Sequence, residues 1–242
     1  LFNSSDQSEV NDLTSIYGRL NNRVEENLDL TRTQTPKALN QELKVYYTLN
    51  EDHIFSFEAQ HLDQTEDPIG RAVRDRNPFL SLIPFDSNVQ RFDITQNRFI
   101  ETQKLEAKLD YFYLLNDQSN INLSIGFTNV AQNYLSDFNQ TLDDGTTKSF
   151  DDEQFNNNVD FSFKDLYFAL NYRIRTGIFT IDPGLTLHFY DNKNTQLGQT
   201  FAKDISDIRP NLRVNMQFKK NENLRFTYRK NTQFTDVNNI SE

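Results

Sequence analysis

Runs of alternating apolar and polar residues constrain this chain more than any other feature of its sequence. In one run Leu105, Leu109 and Tyr113 fall on one side, while Lys108 and Asp110 fall on the other. A period of two is the spacing at which side chains alternate between the two faces of a β-strand. The runs are about nine to twelve residues long, the length that a tilted strand needs to cross a membrane. The pattern therefore predicts long amphipathic strands.

The runs are joined in pairs by short polar segments. These segments predict tight turns at 50–52, 116–120, 175–177 and 219–223. Longer polar stretches separate the pairs, and we expect them to be loops at 63–98, 129–160 and 191–207. Short turns at one end and long loops at the other are typical of outer-membrane barrels. The predicted fold is all-β, an antiparallel up-and-down meander of about 8 to 10 strands that forms a transmembrane β-barrel or a portion of one.

We expect the chain to divide near residue 38. Residues 1–38 form a polar lead segment with room for one or two strands, although Val10 to Leu20 fits a helix nearly as well. Residues 39–242 carry the antiparallel barrel strands and the long outer loops. Strands that follow each other in sequence are usually neighbours in a sheet, so the runs after residue 38 are expected to form one meander.

Composition argues against several classes of function. The formal net charge is -10, with 35 acidic residues against 25 basic ones, so nucleic acid is not expected as a partner, because its binding depends on cations that neutralise phosphates. The chain contains no cysteine, which removes thiolate metal sites and disulfides. His53, His61 and His188 lie in no spacing typical of zinc or of a catalytic triad, and we interpret them as exposed or rim residues. We therefore expect no catalytic residues, no metal and no cofactor.

Two groups of residues are candidates for contact with a ligand or a partner. The first lies in the loop expected at 63–98, where three arginines precede an apolar patch that fits either a loop folded over a barrel mouth or an anchor packed on its rim. The second consists of arginines on the polar side of the predicted strands, which fit contact with a solute as well as pairing within the wall. The candidates are Arg71, Arg74, Arg76, Phe79, Phe85, Arg173, Arg213 and Arg225.

Three segments near the end of the chain resemble a known family. Asp182-Pro-Gly-Leu-Thr-Leu187, Ile208-Arg-Pro-Asn-Leu212 and Asn223-Leu-Arg-Phe-Thr-Tyr-Arg-Lys230 are similar to the C-terminal barrel strands of TonB-dependent receptors, and most similar to the Bacteroidota-type outer-membrane β-barrel family. The resemblance implies a location in the bacterial outer membrane. It also implies a place in the wall of a transporter for a nutrient such as a metal chelate, a glycan or a peptide.

The resemblance implies partners as well. These are outer-membrane lipid, the remaining segments of the same barrel or a plug domain, and an energising periplasmic protein or a surface lipoprotein. Receptor barrels contain more strands than are predicted here, so we expect the chain to be one portion of a larger barrel. Two alternatives remain open. A non-transporting outer-membrane scaffold or adhesion barrel has the same strands, and a soluble β-sandwich that binds carbohydrate shows the same period of two.

Overall fold

The structure is a computed structural model of the chain, and it describes residues 2–19, 22–77, 83–150 and 157–232. All regular structure in these ranges is β-strand. The strands are β1 (Phe2–Ser4), β2 (Gln7–Arg19), β3 (Asn22–Gln34), β4 (Lys37–Thr48), β5 (His53–Glu66), β6 (Ile69–Arg74), β7 (Phe92–Asn116), β8 (Ser119–Thr141), β9 (Thr147–Ser149), β10 (Val159–Thr176), β11 (Phe179–Gln196), β12 (Gln199–Lys219) and β13 (Glu222–Arg229).

The strands belong to one antiparallel sheet of 13 strands. Hydrogen-bonded neighbours follow the path β1-β4-β5-β7-β8-β10-β11-β12-β13, and β2, β3, β6 and β9 attach beside it. Because the neighbours are antiparallel and follow chain order, successive connections alternate between the two ends of the sheet. The predicted all-β antiparallel meander is confirmed. Within the described residues there is no second sheet packed on the first, as the β-sandwich alternative would require.

The strands at the beginning of the sheet are interrupted at one common level. The breaks fall at Asp6, at Thr35–Pro36 and at Asp67–Pro68. The last two contain proline, which lacks the N–H that a ladder needs. Asp67 accepts a hydrogen bond from the Thr35 backbone N–H at 2.7 Å, and Asp6 accepts one from the Thr35 hydroxyl at 3.0 Å. These bonds replace the missing ladder, so β1–β2, β3–β4 and β5–β6 act as three long strands with a bend.

The lead segment and the loops differ from the expected ones. The first 38 residues contain β1, β2, β3 and the start of β4, and β2 occupies the segment that also fitted a helix. The prediction of a loop at 191–207 is wrong, because β11 and β12 continue through these residues. The two strands are joined by a turn at Leu197 and Gly198, whose φ angles are 50° and 72°. Short turns therefore occur at both ends of the sheet.

The other two expected loops are much shorter in the structure. The loop expected at 63–98 begins with the end of β5 and β6 and finishes with the start of β7, which leaves a connection at 75–91. The loop expected at 129–160 is strand β8 up to Thr141, and it also contains β9. In these stretches the alternation of apolar and polar residues continues, but the apolar residues change to the opposite face of the sheet. Polar residues at the point of change hid this alternation in the sequence.

One face of the sheet, which we call the Leu109 face, carries a continuous apolar band. Near its middle, directly paired residues form a row across seven strands from β4 to β12, and most of these side chains are exposed. The next row towards the turns is equally apolar from β4 to β12. The first row is Val45, Phe57, Leu109, Ile125, Phe168, Leu187 and Ile208.

The opposite face, which we call the Arg173 face, is polar at the same level. The row that lies beside the first apolar row contains cations, carboxylates and hydrogen-bonding rings. Each ionisable side chain in it faces away from the apolar band, because successive residues of a strand point to opposite faces. The row is Lys44, Glu58, Lys108, Gly126, Tyr167, His188 and Asp207.

The apolar band ends abruptly at one cross-strand row, which we call the boundary row. It consists of Asn129, Lys164, Asp191 and Asp204, which are paired in that order across β8, β10, β11 and β12. We call the part of the sheet between this row and the turns after β4, β7, β10 and β12 the turn half, and the part beyond the row the extension.

In the extension the polarity of the two faces is reversed. All but one of the buried apolar side chains of the described residues lie there, the exception being Tyr190 just on the turn side of the boundary row, and those on strands project from the Arg173 face. The Leu109 face is mostly polar in the extension, with Glu101, Gln103, Asn133 and Asp137 in positions that leucine or phenylalanine occupies in the turn half. The buried residues are Ile83, Phe85, Phe92, Ile94, Tyr134, Phe150, Val159 and Tyr190.

Candidate binding surface

Charged side chains cover the Arg173 face of the turn half in a network of ion pairs. Lys108 lies 2.8 Å from Asp110, and Arg173 lies 2.5 Å from Asp182. Further towards the extension, Asp207 binds Arg209 at 2.9 Å and Lys230 at 2.5 Å. These pairs join neighbouring strands or alternate residues of one strand, so the sheet holds them as a fixed charged wall.

His188 is the centre of an aromatic cluster on this wall. Its Nδ1 lies 2.9 Å from an Asp165 carboxylate oxygen. Its ring is stacked on Tyr190 with centroids 5.1 Å apart and is tilted against Tyr167 at 5.3 Å. Arg209 lies over the other side of this cluster, 5.4 Å from the Tyr190 centroid. His188 is therefore part of a packed network, which corrects its interpretation as an exposed or rim residue.

Two glycines shape the wall by leaving room for larger neighbours. A Cβ on Gly126 would lie 2.2 Å from the Tyr167 ring, so the tyrosine occupies the space above the glycine. A Cβ on Gly184 would lie 2.2 Å from Asn171 Oδ1 and 2.5 Å from Asn211 Nδ2. The side chains of both asparagines therefore converge over Gly184, and they form an amide floor on this part of the wall.

An open pocket of about 520 Å³ lies above this amide floor. Its walls come from β7, β8, β10, β11, β12 and β13, which the meander brings side by side. Of the described residues, five basic side chains and one carboxylate line the pocket, although the chain as a whole is strongly acidic. The charged lining residues are Arg173, Arg209, Arg213, Arg229, Lys230 and Asp182.

Two of the candidate arginines meet in this pocket, and a third lies next to it. Arg173 projects from β10, and Arg213 projects from β12 in direct pairing with Asp182. Arg225 on β13 pairs with Asn215, two residues further along β12 than Arg213. Period two placed all three on one face, but only the register of the sheet brings them together.

The candidates of the extension lie on different faces. Arg71 on β6 binds Asp93 with two hydrogen bonds of 2.8 and 2.6 Å on the Leu109 face. Arg74 donates two hydrogen bonds to Glu26 Oε1 on the Arg173 face, at 2.9 and 2.5 Å. Arg76 lies in the connection that follows β6. Arg71 and Arg74 therefore form separate ion pairs on opposite faces of the sheet.

The described end of the apolar patch, at Ile83 and Phe85, packs as an anchor. Phe85 is 8% exposed and lies edge-on against Phe150 with ring centroids 5.0 Å apart. Gln140 is fully buried beneath this segment, where its amide accepts a hydrogen bond from Asp86 N at 2.7 Å and donates one to Asp86 O at 2.8 Å. Phe85 is thus not available on the surface for a ligand, and Phe79 lies outside the described residues.

The sequence-based candidates omitted several residues of the pocket. Arg209 and Arg229 lie in the segments that carry the family resemblance. His188 is an even number of residues from Asp182 along β11 and therefore has the same parity. Parity would have placed each of these residues on the polar face. Which of them lie together depends on the offset between strands, and hydrophobic pattern alone does not give that offset. Among the described residues, no group of His, Asp and Glu is arranged to hold a metal ion.

The extension contains a carboxylate whose ionisation is favoured by its contacts. Asp75 accepts a hydrogen bond from the Asn27 backbone N–H at 2.8 Å and another from Arg91 Nε at 2.9 Å. The Asn27 bond, followed by Arg91, lowers the pKa of Asp75 below its ordinary value. The charged form of Asp75 therefore joins β3 to the connection between β6 and β7.

No family model and no curated protein matches the chain. Solved structures with a similar arrangement include the ferric citrate transporter FecA in its unliganded form, at 13% identity over 92% of this chain and 41% of that chain, with a TM-score of 0.41. The FrpB iron transporter from Neisseria meningitidis matches at 9% identity over 94% of this chain and 44% of that chain, with a TM-score of 0.41. The Pseudomonas putida toluene transporter TodX matches at 7% identity over 95% of this chain and 72% of that chain, with a TM-score of 0.35.

The chain spans about two fifths of the length of the first two of these structures. With identities and TM-scores this low, the likeness carries no argument about what this chain binds or transports. No helix of the described residues is long and apolar enough to cross a membrane.

Proposed function

We propose that this chain forms part of the wall of an outer-membrane β-barrel, with the turn half in the bilayer and the extension outside it. The observation that carries the proposal is the reversal of polarity at the boundary row. A soluble sheet that covers one core keeps its apolar residues on one face. A barrel wall needs apolar residues outside where it meets lipid, and polar residues outside where it meets water.

The dimensions of the turn half support the same placement. From the boundary row to the turns, β10 and β11 each contribute about twelve residues, which at 3.3 Å per residue and a tilt of about 40° span the apolar height of an outer-membrane barrel, about 25 Å. Aromatic residues on the Leu109 face follow near the turns, where the Phe55 and Tyr111 ring centroids are 4.9 Å apart and His53 binds the Tyr111 hydroxyl at 2.7 Å. Aromatic rings are the side chains that favour a membrane interface.

Partners follow from the edges of the sheet. Among the described residues, β13 has no neighbouring strand beyond it and β4 has none along residues 41–48. Unpaired backbone groups are strongly unfavourable in hydrocarbon, so other segments of the same barrel are the expected neighbours there. Lipid on the Leu109 face, and a plug domain on the Arg173 face, remain part of the proposal.

Within this class we propose the TonB-dependent receptor type, in which the wall encloses a path for a nutrient such as a metal chelate, a glycan or a peptide. An energising periplasmic protein or a surface lipoprotein would then act with it. The charged Arg173 face and its open pocket support a passage more than the alternative of a scaffold or adhesion barrel, which has no need of a polar pocket at membrane depth. Loss of uptake of one nutrient on deletion of the gene, with unchanged surface attachment, would separate the two.

The membrane placement is testable by depth-dependent quenching, because the chain contains no cysteine. Single cysteines at Leu109 and Leu135 are labelled with a fluorophore in the intact protein, reconstituted in bilayers. Both side chains project from the Leu109 face and both are 42% exposed, but they lie on opposite sides of the boundary row. Brominated lipid should quench the label at Leu109, and an aqueous quencher should reach only the label at Leu135. Equal access of the aqueous quencher to both labels would overturn the proposal.

A further inference from the structure

Three arginines on β12 and β13 form a cluster of like charge on the Arg173 face. Arg213 is paired directly with Thr227, so Arg225 and Arg229 are its two diagonal neighbours on the adjacent strand. Residues in this relation lie about 7 to 8 Å apart, within reach of long side chains. All three arginines are exposed on the wall.

The described residues leave this cluster without a counter-charge of its own. Asp182 is paired directly across from Arg213, but its ion pair is with Arg173. Asp207 is bound by Arg209 and Lys230. No carboxylate among the described residues forms an ion pair with Arg213, Arg225 or Arg229. Like charges in adjacent positions of a sheet destabilise it, and a chain with a formal net charge of -10 has ample acidic residues with which to avoid such a cluster.

The pocket beside the cluster offers the other parts of an anion site. Asn171 and Asn211 supply neutral amide donors over Gly184. Arg213 and Arg229 stand at its rim, and Arg173 is held in place by its bond to Asp182. The planar guanidinium group presents a fork of donors that matches the oxygens of a carboxylate or phosphate.

We propose that this pocket binds a small multivalent oxyanion, that is, a solute that carries phosphate or several carboxylates. Arg213 and Arg229 contact the anion with their guanidinium forks, and the amide floor donates hydrogen bonds to it from below. The site is defined by contacts within the sheet. It therefore stands or falls separately from the membrane placement.

The proposal is tested by calorimetric titration of the purified intact protein with pyrophosphate, and in a second arm with the tricarboxylate tricarballylate, at low salt. We expect one saturable site for at least one of the two anions, and the arm that saturates identifies the oxyanion class. In the double variant Arg213→Gln, Arg229→Gln the affinity should fall about tenfold or more, the effect expected for lost charge-assisted hydrogen bonds.

The matched control is the double variant Lys219→Gln, Lys220→Gln, which removes the same charge from the turn between the same two strands. The affinity of this control should stay within about twofold of the wild type, since its lysines are not in the pocket.

If the variant Arg213→Gln, Arg229→Gln fails to fold, the variant Arg213→Lys, Arg229→Lys keeps the charge but removes the fork of donors. It should weaken binding while leaving thermal stability unchanged. Absence of a saturable site for both anions, or an equal loss in the control, would overturn the proposal.

Discussion

The turn half and the extension are built from the same strands, yet they bury opposite faces. On β8, Ile125 projects from the Leu109 face and is exposed, whereas Tyr134, nine residues further along, projects from the other face and is buried. The strand runs between them without interruption. Such a change is unfavourable for a sheet in one solvent, but it is favourable for a sheet that passes from lipid into water.

The two halves also differ in how they gain stability. The extension has a small core, in which Phe85, Phe92 and Phe150 pack together, and it contains hydrogen bonds between distant segments. The turn half has long ladders and ion pairs but no apolar core of its own among the described residues. Its large apolar side chains gain from burial only when another apolar phase covers them. Substitutions of the same kind should therefore have different effects in the two halves.

The largest difference is expected for removal of a phenylalanine ring. Phe85→Ala leaves a cavity in the core of the extension, and we expect a loss of about 3 to 5 kcal/mol in the stability of that region. Phe168→Ala in the turn half removes a ring that is 43% exposed on the Leu109 face, and lipid is free to fill the space. Hydrogen exchange of β7 and β8 in reconstituted protein measures the first loss. Equal losses at both positions would mean that the Leu109 face is covered by protein.

A charge placed on the Leu109 face should destabilise the turn half more than it destabilises the extension. Leu109→Arg inserts a cation near the middle of the apolar band, and we expect a cost of about 2 to 4 kcal/mol in the free energy of unfolding from bilayers. Leu135→Arg makes the same substitution at the same exposure in the extension and should cost little. Reversible denaturant unfolding in lipid vesicles gives both values. A large cost at Leu135, or none at Leu109, would contradict the membrane placement.

The sequence predicted the turn half well because its polarity has one phase. From Leu105 to Tyr111 on β7 the apolar residues alternate with charged ones without exception, and on β10 Arg173 lies on the face opposite to Leu166 and Leu170. A period of two with tight turns between runs determines the strands, their faces and the order of neighbours. These features do not depend on contacts between distant segments.

The extension was misinterpreted because the phase changes there. On β8 the large apolar residues are at odd positions as far as Phe127, whereas beyond it Val130, Tyr134 and Phe138 are at even positions and only Leu135 keeps the odd phase. An interpretation that assumes one unchanged phase ends the strand at Phe127 and assigns the residues after it to a loop. The prediction of the pocket residues was incomplete for another reason. Arg173 and Arg229 are brought together by offsets between four strands, and each offset depends on the packing of the whole sheet.

A smaller effect is expected for the buried amide of the extension. Gln140→Ala removes both hydrogen bonds to Asp86 and leaves the partly buried N–H and C=O of Asp86 unpaired, at a cost of about 1 to 3 kcal/mol. Residues 83–91 should then be cleaved faster in limited proteolysis of the reconstituted protein, while the turns after β7 and β10 stay protected. Gln103→Ala is the matched control, since its amide is exposed and bonds only to Glu101 on its own strand. If cleavage is unchanged in Gln140→Ala, this amide does not hold the segment in place.

The smallest effect is expected from acid, and it should be confined to the extension. The pKa of Asp75 is lowered in the folded protein, first by the Asn27 N–H and then by Arg91. A depressed pKa means that the folded state favours the ionised form, so Asp75 stabilises the fold above its ordinary pKa of about 4. This contribution is lost as the pH falls through the lower pKa of the folded state.

The variant Asp75→Asn keeps the size of the side chain but has no charge to lose. Thermal unfolding of the wild type and of Asp75→Asn should therefore differ near neutral pH and converge as the pH falls below about 4. A difference that persists unchanged to lower pH would show that the carboxylate charge of Asp75 does not join β3 to the connection after β6.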